Sequence, residues 1–171
     1  MRKVKFLVLS LLVAVVAITQ VKAQKSDADV TVTKVLDISA DKVWSKLRQM
    51  DDIDKYSSAI AKVDWTGNHG VGGQRVCTTP DGKGFFKESI VGFDDTERSY
   101  TYAVVEGVPV KGLVNSFKVV DLGYNKSMVV WTSNYDQFIT NPNMSEEQFL
   151  GFMNQSINEM ISKISSAAAK S

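Results

Sequence analysis

The residues best suited to chemistry in this chain are an arginine and a glutamate on two neighbouring predicted strands, Arg75 and Glu88. Side chains alternate between the two faces of a strand, so Glu88 shares a face with Phe86 and Ile90. These apolar neighbours indicate that Glu88 points inward, which would place an Arg75–Glu88 pair in a partly apolar interior. There the carboxylate could act as a general base while the guanidinium holds an anionic or carbonyl group. A structural cross-strand ion pair is the alternative interpretation.

Aromatic and methionine side chains are the candidates for lining a binding pocket. Tyrosine and tryptophan join an apolar ring to a polar donor, which suits a mostly apolar site with a few orienting groups. Methionine is flexible and adapts to irregular apolar surfaces, although ordinary core packing is the alternative for it. Alternation also allows some of the aromatic residues to face solvent. The candidates are Tyr100, Tyr102, Trp131, Tyr135, Phe149, Met153 and Met160.

Three other features are predicted to carry no chemistry. Residues 67–73 hold four glycines but match neither a P-loop nor G-x-G-x-x-G, so nucleotide binding is unsupported. His69 lies in this loop without a nearby nucleophile, and we expect it to be solvated. Cys77 has no evident base and is expected to be a buried packing residue. One cysteine and one histidine cannot supply a zinc ligand set, and no metal or cofactor is predicted.

The elements that must position these side chains follow the order strand, short helices, six strands, long helix. Residues 30–35 are β-branched and alternating, which predicts a strand. Ser39 can cap a short helix, and residues 51–56 predict a further helical turn. Short links rich in Gly, Pro, Asp and Asn separate the later strands, as is typical of an antiparallel meander. These strands are predicted at residues 60–65, 74–79, 85–93, 99–106, 111–121 and 127–138.

The last predicted element is a long amphipathic helix. Ser145 and Gln148 have the spacing of a capping box at its start. Apolar residues then recur at helical spacing, so this helix must pack against an apolar surface, and the sheet is the only large candidate. The stripe consists of Phe149, Leu150, Met153, Ile157, Met160, Ile161 and Ile164.

Residues 1–23 have the pattern of a cleaved secretory signal peptide. Arg2, Lys3 and Lys5 form a basic start, residues 6–18 are apolar except for Ser10, and small residues precede Gln24. A retained membrane anchor is the weaker alternative, because a spanning helix needs ~20 apolar residues and this run has 13. We therefore expect export to the periplasm or the medium, no stable membrane insertion after cleavage, and a single domain at residues 24–171.

Cleavage would change the charge of the protein. The full chain has 20 basic and 19 acidic residues; the leader removes four basic residues and no acidic one, so 16 basic residues remain against 19 acidic, a net charge of −3. This balance argues against nucleic acid as a partner. The 44% hydrophobic and 23% charged composition is that of a globular domain.

The order of elements and several segments resemble the START/Bet v 1-like (SRPBCC) superfamily, and within it the polyketide cyclase/dehydrase branch. The resemblance spans about residues 30–164 and implies an α+β helix-grip fold, in which a curved antiparallel sheet of about seven strands (β-α-α-β6-α) wraps around the C-terminal helix and leaves an internal cavity. The segments that carry it are residues 38–44, 72–75, 87–88, 98–102 and 129–131, with Asp94 and Phe138.

The resemblance also implies a class of function. Members of the superfamily bind lipids, sterols, plant phenolics or polyketides, and some catalyse cyclisation, dehydration or proton transfer, with no common metal or cofactor. Plant members place the arginine and glutamate equivalent to Arg75 and Glu88 at polar cavity positions. The leading hypothesis is an exported protein that holds a hydrophobic or amphipathic small molecule between the sheet and the C-terminal helix.

Two alternatives remain open at this point. The first is a cofactor-free cyclase, dehydratase or isomerase that uses Glu88 as general base and Arg75 as anion holder. The second is a protein-interaction domain that exposes an apolar patch on the outer sheet. Lysines that alternate along the strands argue mildly against the second: Lys34, Lys87, Lys118 and Lys126.

Overall fold

A seven-stranded antiparallel sheet and a 24-residue helix form most of the part of the chain that the computed structural model describes, residues 27–171. The predicted signal peptide, residues 1–23, lies outside the described residues. The first elements are β1 (Val30–Leu36), α1 (Ala40–Leu47) and a 3-10 turn (Ile53–Lys55). The others are β2 (Lys62–Thr66), β3 (Gln74–Thr78), β4 (Phe85–Asp94), β5 (Ser99–Glu106), β6 (Val110–Lys111), β7 (Leu113–Gly123), β8 (Lys126–Asn134), β9 (Gln137–Phe138) and α2 (Glu146–Ala169).

The sheet has the order β1-β8-β7-β5-β4-β3-β2, with every neighbouring pair antiparallel. The strands β2 to β5 pair in chain order, β7 lies between β5 and β8, and β1 joins the far edge of the sheet beside β8. The inward face carries the buried side chains, and α2 lies against it. The predicted helix-grip fold with seven strands is therefore confirmed.

Two predicted strands are each divided in the structure. The segment predicted at 111–121 becomes β6 and β7, because Gly112 between them has φ +68°, a conformation that favours glycine. A Cβ at Gly112 would also clash with the Asp136 carboxylate. The segment predicted at 127–138 becomes β8 and β9. The short strands β6 and β9 leave the main sheet and pair with each other.

The two helices begin in different ways. Ser145 and Gln148 form the predicted capping box: Ser145 Oγ accepts from the Gln148 backbone N–H (3.2 Å) and Gln148 Oε1 accepts from the Ser145 N–H (2.8 Å). Ser39 occupies the first position of α1 with extended backbone, but its side chain makes no capping hydrogen bond. The prediction that Ser39 caps α1 is correct for position and wrong for the side chain. Neither helix of residues 27–171 is both long and apolar enough to cross a membrane.

The two halves of α2 face different surroundings. Its C-terminal half contributes Ile161, Ile164 and Ala168 to the core, and the helix packs against α1 and β1. An aromatic cluster fills the interior between α1 and the central strands, with 3.6 Å between the ring centroids of Phe117 and Trp131 and 4.7 Å between those of Tyr100 and Phe117. The N-terminal half of α2 instead borders a cavity.

Candidate ligand-binding site

A cavity of about 230 Å³, partly open to solvent, lies between the sheet and the N-terminal half of α2. Its wall is mostly apolar, as is usual for small-molecule sites. Four polar side chains also reach it, from the loop before β2, from β4, from β7 and from α2: Ser57, Glu88, Asn115 and Ser156. The apolar lining side chains are Ala59, Ile60, Phe86, Val104, Val108, Pro109, Leu113, Met144, Phe149, Phe152, Met153 and Met160.

The cavity exists because one face of α2 carries a small residue in the middle of an apolar row. Phe149, Met153, Ser156 and Met160 follow one another at spacings of four, three and four residues, which places them on one helix face. A serine at the third position leaves empty the volume that a leucine or phenylalanine would fill. All four residues of this row border the cavity.

The strand register brings Arg75 and Glu88 directly opposite each other on β3 and β4. Their side chains are 1% and 8% exposed, and Arg75 Nε donates to Glu88 Oε2. Arg75 Nη1 donates to the backbone carbonyl of Met50 (2.5 Å), and the guanidinium lies 4.7 Å from the centre of the Tyr102 ring. Arg75 is therefore enclosed by protein groups, and it reaches the cavity only through Glu88.

Electrostatics keep this arginine charged. Burial disfavours the guanidinium cation, but the Glu88 carboxylate together with the nearby Tyr100, Tyr102 and Cys77 groups outweighs that penalty and raises the pKa of Arg75 above its ordinary value. A register shift between β4 and β5 lies next to Glu88, where Lys87 pairs with Glu106 and Glu88 with Val104. Such a bulge re-aims the neighbouring side chains.

The two carboxylate oxygens of Glu88 have different surroundings. Oε2 accepts from Arg75 and lies 3.9 Å from Cys77 Sγ, which can donate weakly to it. Oε1 accepts no hydrogen bond from any residue in the described range, and Glu88 borders the cavity. One oxygen is thus fixed by the protein while the other is available to a guest.

Asn115 is a second polar residue of the cavity wall, and its side chain is also oriented by neighbours. It is 1% exposed, and its Oδ1 accepts from Ser133 Oγ (2.5 Å) and from Trp131 Nε1 (3.4 Å). An indole N–H can only donate, so the atom facing Trp131 must be the amide oxygen. The amide nitrogen points to the other side, and no described residue accepts a hydrogen bond from it.

Burial also suppresses the ionisation of nearby thiol and phenol groups. It raises the pKa of Cys77 to about 12, with a further contribution from the charge of Glu88. It raises the pKa of Tyr100 to about 12 as well, and moves that of Tyr102 in the same direction. Cys77 is fully buried and stays protonated at neutral pH, so it lacks the thiolate that a nucleophile needs.

The structure brings together some of the side chains singled out in the sequence and separates others. Glu88, Phe149, Met153 and Met160 line the cavity, and Arg75 lies behind Glu88. Tyr100, Tyr102 and Trp131 face the same interior but lie in the aromatic cluster and not in the cavity wall. Tyr135 is partly buried, and its hydroxyl donates to Glu146 (2.5 Å). Their roles in ligand binding remain predictions.

Sequence reasoning did not select Asn115 or Ser156. A signal for Asn115 was present, since it is the one polar residue among the buried positions of β7, between Leu113 and Phe117. Ser156 likewise interrupts the apolar stripe of α2. A polar or small residue in an inward-facing row is the pattern that could have indicated both.

The glycine-rich loop holds a more ordered histidine than expected. His69 is about half exposed, but its Nε2 lies 3.1 Å from Asp51 Oδ2 and its ring stacks on Trp65 with 4.8 Å between centroids. The loop is thereby attached to the segment before the 3-10 turn. Within residues 27–171, no group of three or more His, Cys, Asp and Glu side chains is arranged to hold a metal ion.

Comparisons with known proteins identify one matching family and several solved structures of similar fold. A family model described as polyketide cyclase / dehydrase and lipid transport matches residues 27–163. The chain is similar to the protein XoxI from Bacillus cereus, at 20% identity and a TM-score of 0.70 over 82% of this chain and 94% of XoxI. A protein from Nitrosospira multiformis is 19% identical, with a TM-score of 0.66 over 80% of this chain and 93% of that one.

The structure of a plant enzyme is similar to this chain to about the same degree. Norcoclaurine synthase from Thalictrum flavum, solved in complex with dopamine and hydroxybenzaldehyde, is 18% identical, with a TM-score of 0.67 over 82% of this chain and 86% of the enzyme. A search of curated protein sequences finds no significant match. At these identities the structural likeness establishes the shared fold.

Proposed function

The chain belongs to the polyketide cyclase / dehydrase and lipid transport family, and we propose that it binds a small hydrophobic or amphipathic molecule in the cavity between its sheet and α2. The observation that carries this proposal is the mostly apolar cavity of about 230 Å³, kept open by Ser156 and bordered by the buried Glu88. The resemblance to this branch that the sequence displays is confirmed by the family match.

The volume of the cavity limits the size of the guest. Drug-sized ligands occupy roughly 300–1,000 Å³, whereas a cavity of about 150 Å³ holds benzene. A cavity of about 230 Å³ therefore fits a molecule of roughly ten non-hydrogen atoms. Burying roughly 200 Å² of apolar surface contributes about 5 kcal/mol. Part of this is offset by the lost freedom of the guest, so we expect affinity of about millimolar for such fragments.

Filling the cavity tests this proposal. Titration of the wild-type protein with 4-isopropylphenol, followed by protein-detected NMR, is expected to shift resonances of cavity residues. Ser156→Phe should weaken this binding by about tenfold or more, because the ring takes the space of the guest. Ser162→Phe is the matched control, since Ser162 is exposed on the same helix, and it should leave binding unchanged. Equal affinities for wild type and Ser156→Phe would contradict the proposal.

The natural guest can be sought directly. Native mass spectrometry of protein purified from its own host should show an added mass, and extraction should release a compact apolar molecule. Protein carrying Ser156→Phe, prepared in the same way, should lack the added mass. Retention of the same molecule by this variant would indicate binding outside the cavity.

A second candidate function is proton-transfer catalysis, favoured by the Glu88 Oε1 atom that borders the cavity without a protein partner. In this function Oε1 would take a proton from a carbon next to a carbonyl group; in an isomerase the proton returns to another carbon, and in a dehydratase it passes to the hydroxyl group that leaves as water. Incubating the protein with 4-methylacetophenone, which has no hydroxyl group to occupy Glu88, in D₂O should then accelerate deuterium exchange of the acetyl protons. Glu88→Gln should abolish that acceleration, and an exchange rate equal to that of buffer would remove the catalytic candidate.

We also propose that the protein is exported, because residues 1–23 combine a basic start, an apolar run and small residues before Gln24. Protein recovered from the host should begin at Gln24 when its N-terminus is sequenced. Replacing Leu11 and Leu12 by arginine interrupts the apolar run and should retain the protein in the cytoplasm. Exported protein that still begins at Met1 would contradict cleavage.

A further inference from the structure

Two polar residues of the cavity wall, Glu88 and Asn115, each have one side-chain atom without a hydrogen-bond partner in residues 27–171, and the two atoms have opposite hydrogen-bonding character. Glu88 Oε1 can only accept a hydrogen bond, and the amide nitrogen of Asn115 can only donate one. Both residues line the cavity, and both are buried, at 6% and 1% exposure. A polar atom at an apolar cavity wall that has no protein partner favours a guest that completes its hydrogen bonding.

Neither group can exchange its role by rotating. Arg75 Nε binds the Oε2 atom of Glu88, and this buried ion pair fixes the direction of the carboxylate. Trp131 Nε1 and Ser133 Oγ both donate to the amide oxygen of Asn115, which keeps the nitrogen on the opposite side. Flipping the amide would place its N–H₂ group against the indole N–H, two donors facing each other.

We propose that the cavity selects a compact, uncharged molecule with a hydroxyl group that donates to Glu88 and a carbonyl oxygen that accepts from Asn115. This proposal rests on the proposed binding function and names the class of its ligand. It also assigns Asn115 as the residue that distinguishes a carbonyl-bearing ligand from a plain hydrocarbon of the same shape.

The sheet register sets how far apart the two groups of the ligand must be. Glu88 pairs with Val104, which pairs with Leu113, and Asn115 follows Leu113 by two residues on β7. Two strand spacings and two residues along a strand separate the Cα atoms of Glu88 and Asn115 by no more than about 12 Å. This bound leaves room for a ligand whose donor and acceptor lie at opposite ends of one aromatic ring.

The charge of the site disfavours anionic guests. Glu88 supplies a carboxylate to the cavity wall, whereas Arg75, its counter-ion, is enclosed by Glu88, Met50 and Tyr102. An anion in the cavity would meet the Glu88 carboxylate without direct contact to a cation, and it would also lose its own hydration. Fatty-acid anions and carboxylated phenols are therefore poor ligands for this site.

Four probes of ten non-hydrogen atoms each test the proposal. 4-Hydroxyacetophenone carries both polar groups, 4-isopropylphenol lacks the carbonyl, 4-methylacetophenone lacks the hydroxyl, and 4-hydroxybenzoate is anionic at neutral pH. Wild-type protein should bind 4-hydroxyacetophenone about three- to tenfold more tightly than either probe with one group missing. It should bind 4-hydroxybenzoate most weakly of the four. Affinities are measured by NMR titration at one pH and ionic strength.

The Asn115→Leu variant separates the contribution of the amide from that of shape. It should bind 4-hydroxyacetophenone no more tightly than 4-isopropylphenol, because the amide N–H₂ group that would donate to the carbonyl is gone. If this variant does not fold, the ranking of the four probes on wild-type protein tests the proposed ligand selection by itself. Equal wild-type affinities for 4-hydroxyacetophenone and both one-group probes would overturn the selection of ligands and leave the binding function standing. Failure of all four probes to bind would overturn both.

Discussion

Arg75 carries a positive charge where its side chain is only 1% exposed, and the Glu88 carboxylate is what makes that burial tolerable. A buried ion pair is weak support for stability, because desolvating two ions offsets most of their attraction. Its specific effect here is geometric: one oxygen of Glu88 is held by Arg75, and the other borders the cavity. We therefore interpret the main role of the ion pair as orienting the Glu88 carboxylate, and not as stabilising the fold.

This interpretation predicts how variants of the pair affect stability. Arg75→Met should lower the free energy of unfolding by about 3–5 kcal/mol, because it leaves the Glu88 charge buried and unpaired. The double variant Arg75→Met with Glu88→Leu should recover most of that loss, since two apolar side chains replace two ions. Urea unfolding of the single and double variants measures both values.

An exposed ion pair provides the matched control for this experiment. Lys126 Nζ lies 2.7 Å from Asp37 Oδ1, and the two side chains are 55% and 85% exposed. Lys126→Met should change the free energy of unfolding by less than about 1 kcal/mol, as is usual for surface pairs. A double variant at Arg75 and Glu88 that is as unstable as Arg75→Met alone would show that the stability lost does not come from the unpaired charge.

At the scale of the elements, α1 and α2 allow a direct comparison of helix starts. Both begin after a serine with extended backbone, but only Ser145 uses its side chain as a cap. Ser145→Ala should therefore lower the free energy of unfolding by about 1 kcal/mol, whereas Ser39→Ala should lower it by less than about 0.5 kcal/mol. Thermal or urea unfolding compares the two, and equal losses would contradict the role of the capping box.

The elements themselves were predictable because periodicity and punctuation are local signals. Alternating β-branched residues predicted β1, and the spacing of Ser145 and Gln148 predicted the start of α2. The division between β6 and β7 was missed, since the need for glycine at 112 arises from the close approach of Asp136, 24 residues later. Long-range proximity of this kind leaves no local pattern.

The candidate site was predictable only in part, for a related reason. Strand alternation placed Arg75 opposite Glu88, and the structure has this pairing. The boundary of the cavity depends on how side chains of several elements fill volume together, so alternation could not distinguish the packed ring of Trp131 from a lining ring. It also could not identify Ser156, whose importance lies in the space that it leaves.

At the scale of the whole molecule, the interior holds several groups that ionise only at high pH. Burial raises the pKa of Cys77 from 9.0 to about 12 and that of Tyr100 from 10.0 to about 12. In the unfolded chain these groups would lose their protons at the lower values. Their contribution to stability is therefore fully present below about pH 9 and is lost as the pH rises toward the folded-state values.

Alkaline conditions should consequently unfold the protein cooperatively, with Cys77 as the first contributor. Between about pH 9 and 11, one proton released by Cys77 on unfolding lowers the free energy of unfolding by about 1.4 kcal/mol per pH unit. Cys77→Ala should reduce the slope of the free energy of unfolding against pH by this amount, because alanine has no proton to release. This expectation holds whatever the effect of the substitution on stability at neutral pH. Tyr124→Phe is the control, since that ring is 99% exposed, and it should leave the slope unchanged. Urea unfolding at a series of pH values measures the slopes, and identical slopes for wild type and Cys77→Ala would show that the buried thiol is not linked to folding.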